Sequence, residues 1–340
     1  MGLTVTGERD AGLRRFRRLA AATAVATLAL IVIGGVVRVS DSGLGCGPAG
    51  SGVHGWPLCT GSVVPMVGGS TLIEFTHRVV AGLVAVMIVV LAVLAWRSLR
   101  DRPWLVRGSL FAALLVLFQA GLGGLTVEHD LHATLVAIHL GVAMILLAIL
   151  LWMYRAAAPG PEPEAAAASP GLRTAALTAA ALLLATIVVG GYVAGTEGEG
   201  TAVEPAGGAH VACGTEFPGC GGALLPFGRN AMVDAQLTHR VLMLLATIAV
   251  LAMTALALRR GIRRWPALAA AALVLLQVLL GALNVWLGKH AGLIAGHLTL
   301  ATLLWGTVVW AGLTYVAMPG RAGDRSPAPP AVPGEASASA

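Results

Sequence analysis

The sequence predicts an all-α membrane protein, with eight transmembrane helices arranged as two pseudo-symmetric four-helix bundles in a parallel repeat. Three observations carry this expectation. Of 340 residues, 57% are hydrophobic and 11% charged, with a mean hydropathy of +0.84, whereas a soluble domain carries roughly 25% charged residues. Eight apolar stretches are each long enough to cross the hydrocarbon, which takes about 20 helical residues. A set of polar markers in the first half returns in the same order in the second.

The spans fall near 16–38, 71–97, 105–126, 132–155, 172–194, 232–258, 266–287 and 290–317. Helix is the economical reading, because a backbone polar group in lipid must be satisfied within its own segment. The first run, Leu19 to Val37, follows a basic arm from Arg9 to Arg18. It exceeds the ~7–15 apolar residues of a signal peptide and ends in no small-residue cleavage site, so it reads as a retained span.

Residues 1–158 form the expected N-terminal bundle and 172–318 the C-terminal one. Between them, 159–171 reads as a cytoplasmic linker with Pro159, Pro161, Pro163 and Pro170. The tail 319–340, rich in Pro, Ala, Gly and Ser, reads as disordered. Basic residues set the orientation. Arginines cluster in the N-terminal arm, after spans 2, 4 and 6, and in the tail. All of these lie on one side of an eight-span chain, so both termini are expected in the cytoplasm of a cell-membrane protein. The loops 39–70 and 195–231 then face outward. This placement accounts for the net charge of +6 without a nucleic-acid partner.

Glu74-x-x-His77-Arg78, Gln119 and His139-Leu140 mark spans 2–4. Gln236-x-x-His239-Arg240, Gln277 and His297-Leu298 mark spans 6–8. Corresponding markers lie 162, 158 and 158 residues apart. Four helices per half give both halves one orientation, as in a repeat about an axis along the membrane normal.

The four histidines lie about 9–11 Å below the outer surface, at 1.5 Å per residue. Ionisable groups at that depth face the bundle interior. A flat cofactor between two helices needs opposed imidazoles at matched depth, which points to haem iron. His77 with His139 and His239 with His297 are the candidate pairs. A packed core histidine is the alternative for any one of them, and zinc lacks a third ligand grouped with either pair. His54, His129, His132, His210 and His290 read as solvated loop residues.

Glu74 shares a helix face with His77. It suits a general base or a proton relay; an interfacial partner for an arginine is the plainer role. Gln236 in the matching position hydrogen-bonds but exchanges no proton. Chemistry is therefore expected in the N-terminal half, with a passive or electron-carrying haem in the other. Arg78 and Arg240 suit haem propionates, and equally suit lipid headgroups. Gln119 and Gln277 read as interhelical hydrogen bonds, and the nearby glycines as points of close helix approach. The cysteines form two loop pairs, Cys46/Cys59 and Cys213/Cys220, which an oxidising exterior would turn into disulfides. Cys46/Cys59 precedes span 2, so a redox role stands beside the structural one.

Together, Arg38-Val-Ser40, Ser42-Gly43-Leu44-Gly45-Cys46, Trp56-Pro57-Leu58-Cys59-Thr60-Gly61 and Glu74-x-x-His77-Arg78, followed by His139, His239 and His297, resemble the heme A synthase family. The likeness covers all eight spans. The interval Gly47–Gly55 between the first cysteine and the Trp-Pro-x-Cys element is longer than the family's usual one. The resemblance implies oxidation of the C8 methyl of haem O to a formyl group by two hydroxylations and loss of water from a geminal diol, giving haem A for a terminal oxidase. It implies substrate haem O at His77 and His139, a haem b at His239 and His297, Glu74 as the catalytic carboxylate, and Cys46/Cys59 as a functional pair. Haem O synthase, terminal oxidase assembly and an electron partner are the implied associates, with membrane lipid around them. The farnesyl tail of haem O suits an intramembrane site. Two rivals remain at this stage: a dihaem membrane cytochrome b that only carries electrons, and a structural assembly subunit.

Overall fold

A computed structural model describes residues 2–66, 68–158, 168–196, 208–262, 264–288, 290–316 and 318. Much of the expected linker and all of the expected disordered tail lie outside these residues. The chain forms eight long helices: α1 (Gly2–Val39), α2 (Gly69–Ser98), α3 (Pro103–Glu128), α4 (Ala133–Ala156), α5 (Pro170–Gly195), α6 (Ala231–Arg259), α7 (Arg264–Trp286) and α8 (Ala291–Thr314). All eight are long and apolar enough to cross a membrane, and this is a multi-pass membrane protein. Among the described residues there is no strand, only isolated bridges at Cys59–Ser62 and Cys220–Ala223.

Local chemistry sets the helix ends. Pro103 and Pro170 occupy first-turn positions, where a missing N–H costs nothing. Ser169 Oγ accepts from the Leu172 amide and Asn230 Oδ1 from the Val233 amide, each satisfying an otherwise unpaired donor. His132 and His290 do the same for α4 and α8, their Nδ1 atoms accepting from Thr134 and Gly292. Both are exposed, as expected, and both are also helix caps. One boundary differs from expectation: α1 begins well before residue 16. The arm stays helical because Leu13 and Phe16 are buried in the core and Gly12 packs on Ser98 at the end of α2.

In the first half α1 packs on α2 and α4, and α3 on α2 and α4. In the second, α5 packs on α6 and α8, and α7 on α6 and α8. The halves meet through α1–α8, α4–α5 and α4–α8. This junction is partly polar: Trp305 Nε1 donates to the Met144 carbonyl at 2.8 Å, and Arg17 bonds the Tyr154 hydroxyl, whose ring meets Trp310.

Two glycine pairs seat the junction. Gly35 on α1 packs against Leu298 on α8, and Gly191 on α5 packs against Leu140 on α4. Leu140 follows His139 and Leu298 follows His297, so each half presses on the residue beside a histidine of the other. Small residues allow such close helix approach where lipid offers no hydrophobic drive.

Candidate functional site

Every candidate histidine meets a glycine on the preceding helix. A methyl group at Gly34 on α1 would stand 3.1 Å from Cε1 of His77 on α2, and one at Gly123 on α3 would stand 3.6 Å from Cε1 of His139 on α4. The second half repeats this: Gly190 on α5 gives 2.7 Å to Cε1 of His239, and Gly281 on α7 gives 3.1 Å to Cε1 of His297. The imidazoles are thus seated against bare backbone. His77 lies within electrostatic range of His139, and His297 of His239, which brings together the residues paired by sequence.

Gln119 Nε2 donates to the His139 carbonyl and Gln277 Nε2 to the His297 carbonyl, both at 3.0 Å. These are interhelical braces, as the repeat suggested. Among the described residues, no three of His, Cys, Asp or Glu gather as a metal cluster. Each half instead brings together two imidazoles.

Glu74 is buried, with 4% of its surface exposed, and both its oxygens are engaged. Oε2 accepts from the Cys46 amide at 2.8 Å, and Oε1 pairs with Arg78 one turn along the helix. Arg78 also donates from Nη1 to the carbonyls of Gly55 at 2.6 Å and Leu58 at 2.9 Å. The carboxylate therefore locks the first cysteine loop to α2. An arginine partner was the plainer of the roles open to Glu74, and this ion pair fills it. The loop docks closely, with Thr71 Oγ1 donating to the Gly45 carbonyl at 2.7 Å.

Arg240 stands at the matching place. Its Nη1 donates to the carbonyls of Pro218 at 3.1 Å and Gly219 at 2.5 Å, and its guanidinium lies over the Phe217 ring. Gln236 brings no charge to it. Nε and Nη2 of Arg240 are buried without a hydrogen-bond partner among the described residues. Such donors suit an anionic group.

Both cysteine pairs are bonded, Cys46–Cys59 and Cys213–Cys220. The longer first interval is accommodated by a short 3₁₀ turn, Gly52–His54. The loops themselves repeat in backbone detail. Trp56-Pro57 and Phe217-Pro218 are both cis. After each second cysteine, two residues with positive φ close a tight turn: Thr60 and Gly61 (52° and 76°), then Gly221 and Gly222 (58° and 77°). That is the pattern of a type I′ hairpin turn. The aromatic before each proline covers the following odd helix: Trp56 lies on Gly124 of α3, and Phe217 meets Trp286 of α7 edge-on at 6.1 Å. The aromatic-Pro-x-Cys echo and the Gly34-Gly35/Gly190-Gly191 echo were both present in the sequence as signals.

His210 departs from the solvated role expected of it. It is half-buried and within electrostatic range of His239 and His297. The cause is local: Thr196 Oγ1 accepts from the Ala209 amide at 2.9 Å, folding the loop onto the end of α5. With Arg38 and Ile294 it helps line a cleft of about 120 Å³ between the halves.

Fold and site together define a multi-pass helical membrane protein with a glycine-seated histidine pair and a disulfide-closed loop in each half. A sequence model of the family described as cytochrome oxidase assembly protein matches residues 67–309, and the chain belongs to that family. Heme A synthase of Symbiobacterium thermophilum is 32% identical over 323 residues, covering 90% of this chain and 97% of that protein. Heme A synthase of Halalkalibacterium halodurans is 33% identical over 223 residues, 64% of this chain and 68% of that protein. That of Alkalihalophilus pseudofirmus is 32% identical over 231 residues, 67% and 71%.

Proposed function

We propose that this chain converts haem O to haem A within the membrane, as an oxidoreductase of haem A biosynthesis. Family membership carries the activity. Oxidising a methyl to a formyl group removes four electrons in two steps. Each hydroxylation replaces one C–H bond with C–O, and the resulting diol loses water.

In this reading His77 and His139 hold the iron of haem O, the substrate. His239 and His297 hold a resident haem b, which supplies electron transfer when bound. The residues fit such groups: imidazole pairs seated on glycine backbone, with Nδ1 of His77, His139 and His297 buried and unpartnered among the described residues. The unpaired donors of Arg240 suit a propionate. Arg78 is committed to Glu74 and the loop carbonyls, so a propionate at Arg78 must share it with these.

Glu74 is the one carboxylate in the duplicated Glu/Gln position and is assigned the proton transfer. Taking a proton there loosens its bond from Cys46 or its pair with Arg78, so the reaction is coupled to the Cys46–Cys59 loop. That pair is the proposed functional disulfide, and Cys213–Cys220 a structural one. Both termini are assigned to the cytoplasm and both disulfide loops to the outside. Haem O synthase upstream, a terminal oxidase downstream and an electron partner complete the proposed setting.

Haem extracted from cells that make haem O and express this chain tests the proposal. Haem A should appear with the chain and be absent without it. Bound haem with no haem A would favour the dihaem electron carrier, and a purified chain without haem would sink both.

A further inference from the structure

The two histidine pairs are anchored differently. His239 Nδ1 lies 3.1 Å from the Thr186 carbonyl oxygen of α5. A carbonyl only accepts, so Nδ1 carries the proton and Nε2 presents the lone pair to a metal. His297 has no such anchor: Gln277 Nε2 donates to its Nε2 at 3.2 Å, a contact a metal at that nitrogen would displace, and its Nδ1 is buried without a hydrogen-bond partner among the described residues. In the first pair, Nδ1 of His77 and Nδ1 of His139 are both buried without a hydrogen-bond partner among the described residues.

Gly190 makes the His239 bond possible. It lies one helical turn after Thr186, and a methyl group there would come within 2.7 Å of Cε1 and 3.1 Å of Nδ1. Cβ contacts that short require something to move, and the ring is the part able to leave. The matching Gly34 stands off by 3.1 Å from Cε1 and 3.6 Å from Nδ1 of His77. The ring there is seated less deeply, and no bond to the backbone of α1 forms.

We infer that the Gly190–Thr186 notch is a positioning device that fixes the tautomer and direction of His239, so that the second site retains its haem while the first, lacking it, exchanges haem at each turnover. The inference rests on His239 and His297 being the resident haem's ligands. A substrate must enter and its product leave, so a tightly oriented ligand would slow the first site. A resident electron carrier gains from the same restraint. Hydrogen bonds to a ligating imidazole typically strengthen metal binding about 10- to 100-fold.

The test uses the full chain purified in detergent as wild type, Gly190→Ala, Gly34→Ala and His239→Ala. Haem loss to an excess of apomyoglobin and the midpoint potential of the retained haem are measured. Gly190→Ala should lose resident haem about 10- to 100-fold faster and raise its potential, because the imidazole donates less charge to the oxidised iron. Gly34→Ala should leave the resident haem's loss rate unchanged. An unaltered rate and potential in Gly190→Ala, with His239→Ala lacking the haem, would overturn the inference and leave the ligand assignment standing. A His239→Ala protein that keeps the wild-type haem would instead overturn the assignment. Should Gly190→Ala fail to accumulate, pulsed magnetic resonance on the oxidised wild type decides. One strongly and one weakly hydrogen-bonded imidazole N–H are expected, and two equivalent ones would sink the idea.

Discussion

The backbone amide of Cys46 donates to Oε2 of Glu74 at 2.8 Å. A disulfide cysteine and the sole carboxylate in the duplicated Glu/Gln position are thus joined directly, across 28 residues of sequence. Glu74 thereby ties the first cysteine loop to α2, three residues before His77.

Gly45 sets how closely that loop sits on α2. A methyl group there would come within 2.5 Å of the Ser70 carbonyl carbon and oxygen and 2.8 Å of the Thr71 nitrogen. Backbone does not yield as a side-chain tip does. We predict that Gly45→Ala costs about 1–3 kcal/mol, the usual range for overpacking, and detaches the Cys46 loop. A thermal shift and faster proteolysis within 40–66 would register it; an unshifted melting curve would count against the docked geometry.

Glu74→Gln keeps a carbonyl oxygen for the Cys46 amide and removes the ionisable group. The expected outcome is a fall in haem A formation of about 10²- to 10⁴-fold, the span of general acid–base catalysis, with the resident haem's spectrum unchanged. Full haem A yield in this variant would remove Glu74 from the chemistry.

The two histidine pairs should separate in their effects. His77→Ala and His139→Ala are expected to abolish haem A and leave resident haem in place. His239→Ala and His297→Ala should first remove the resident haem signal. Haem content and haem A yield, measured side by side on the four variants, check this; equal loss of resident haem in all four would contradict the division.

Arg78 and Arg240 bind their loops alike but differ in what their removal leaves behind. Arg78→Ala strands the Gly55 and Leu58 carbonyls and, besides them, Glu74 as a buried carboxylate, which alone costs about 3–5 kcal/mol. Arg240→Ala strands only two loop carbonyls, at about 1–3 kcal/mol each. Arg78→Ala is therefore predicted to be the less stable, and Glu74→Gln combined with it should recover part of the loss. Melting of the single and double variants measures the coupling; strict additivity would exclude it.

The amino-acid sequence made the fold class legible, because unbroken apolar runs of about 20 residues satisfy their backbone in lipid as helices. It determined which residues correspond between halves, since Glu74/Gln236, His77/His239 and His139/His297 recur in register. It also pointed to both disulfides, through loop position and an oxidising exterior. Echoes of one or two residues, such as Gly34-Gly35 with Gly190-Gly191, were legible but carry too little signal to be weighted before their contacts are known. The partner of each polar group, by contrast, is set by packing. Arg78 turning to the Gly55 and Leu58 carbonyls, the Ala209 amide reaching Thr196 Oγ1 and His239 reaching the Thr186 carbonyl all join residues 13 to 53 positions apart. Helical periodicity relates neighbours three or four residues apart, so it does not specify such partners. Packing chooses them by bringing a donor within bonding distance of an acceptor that water cannot reach.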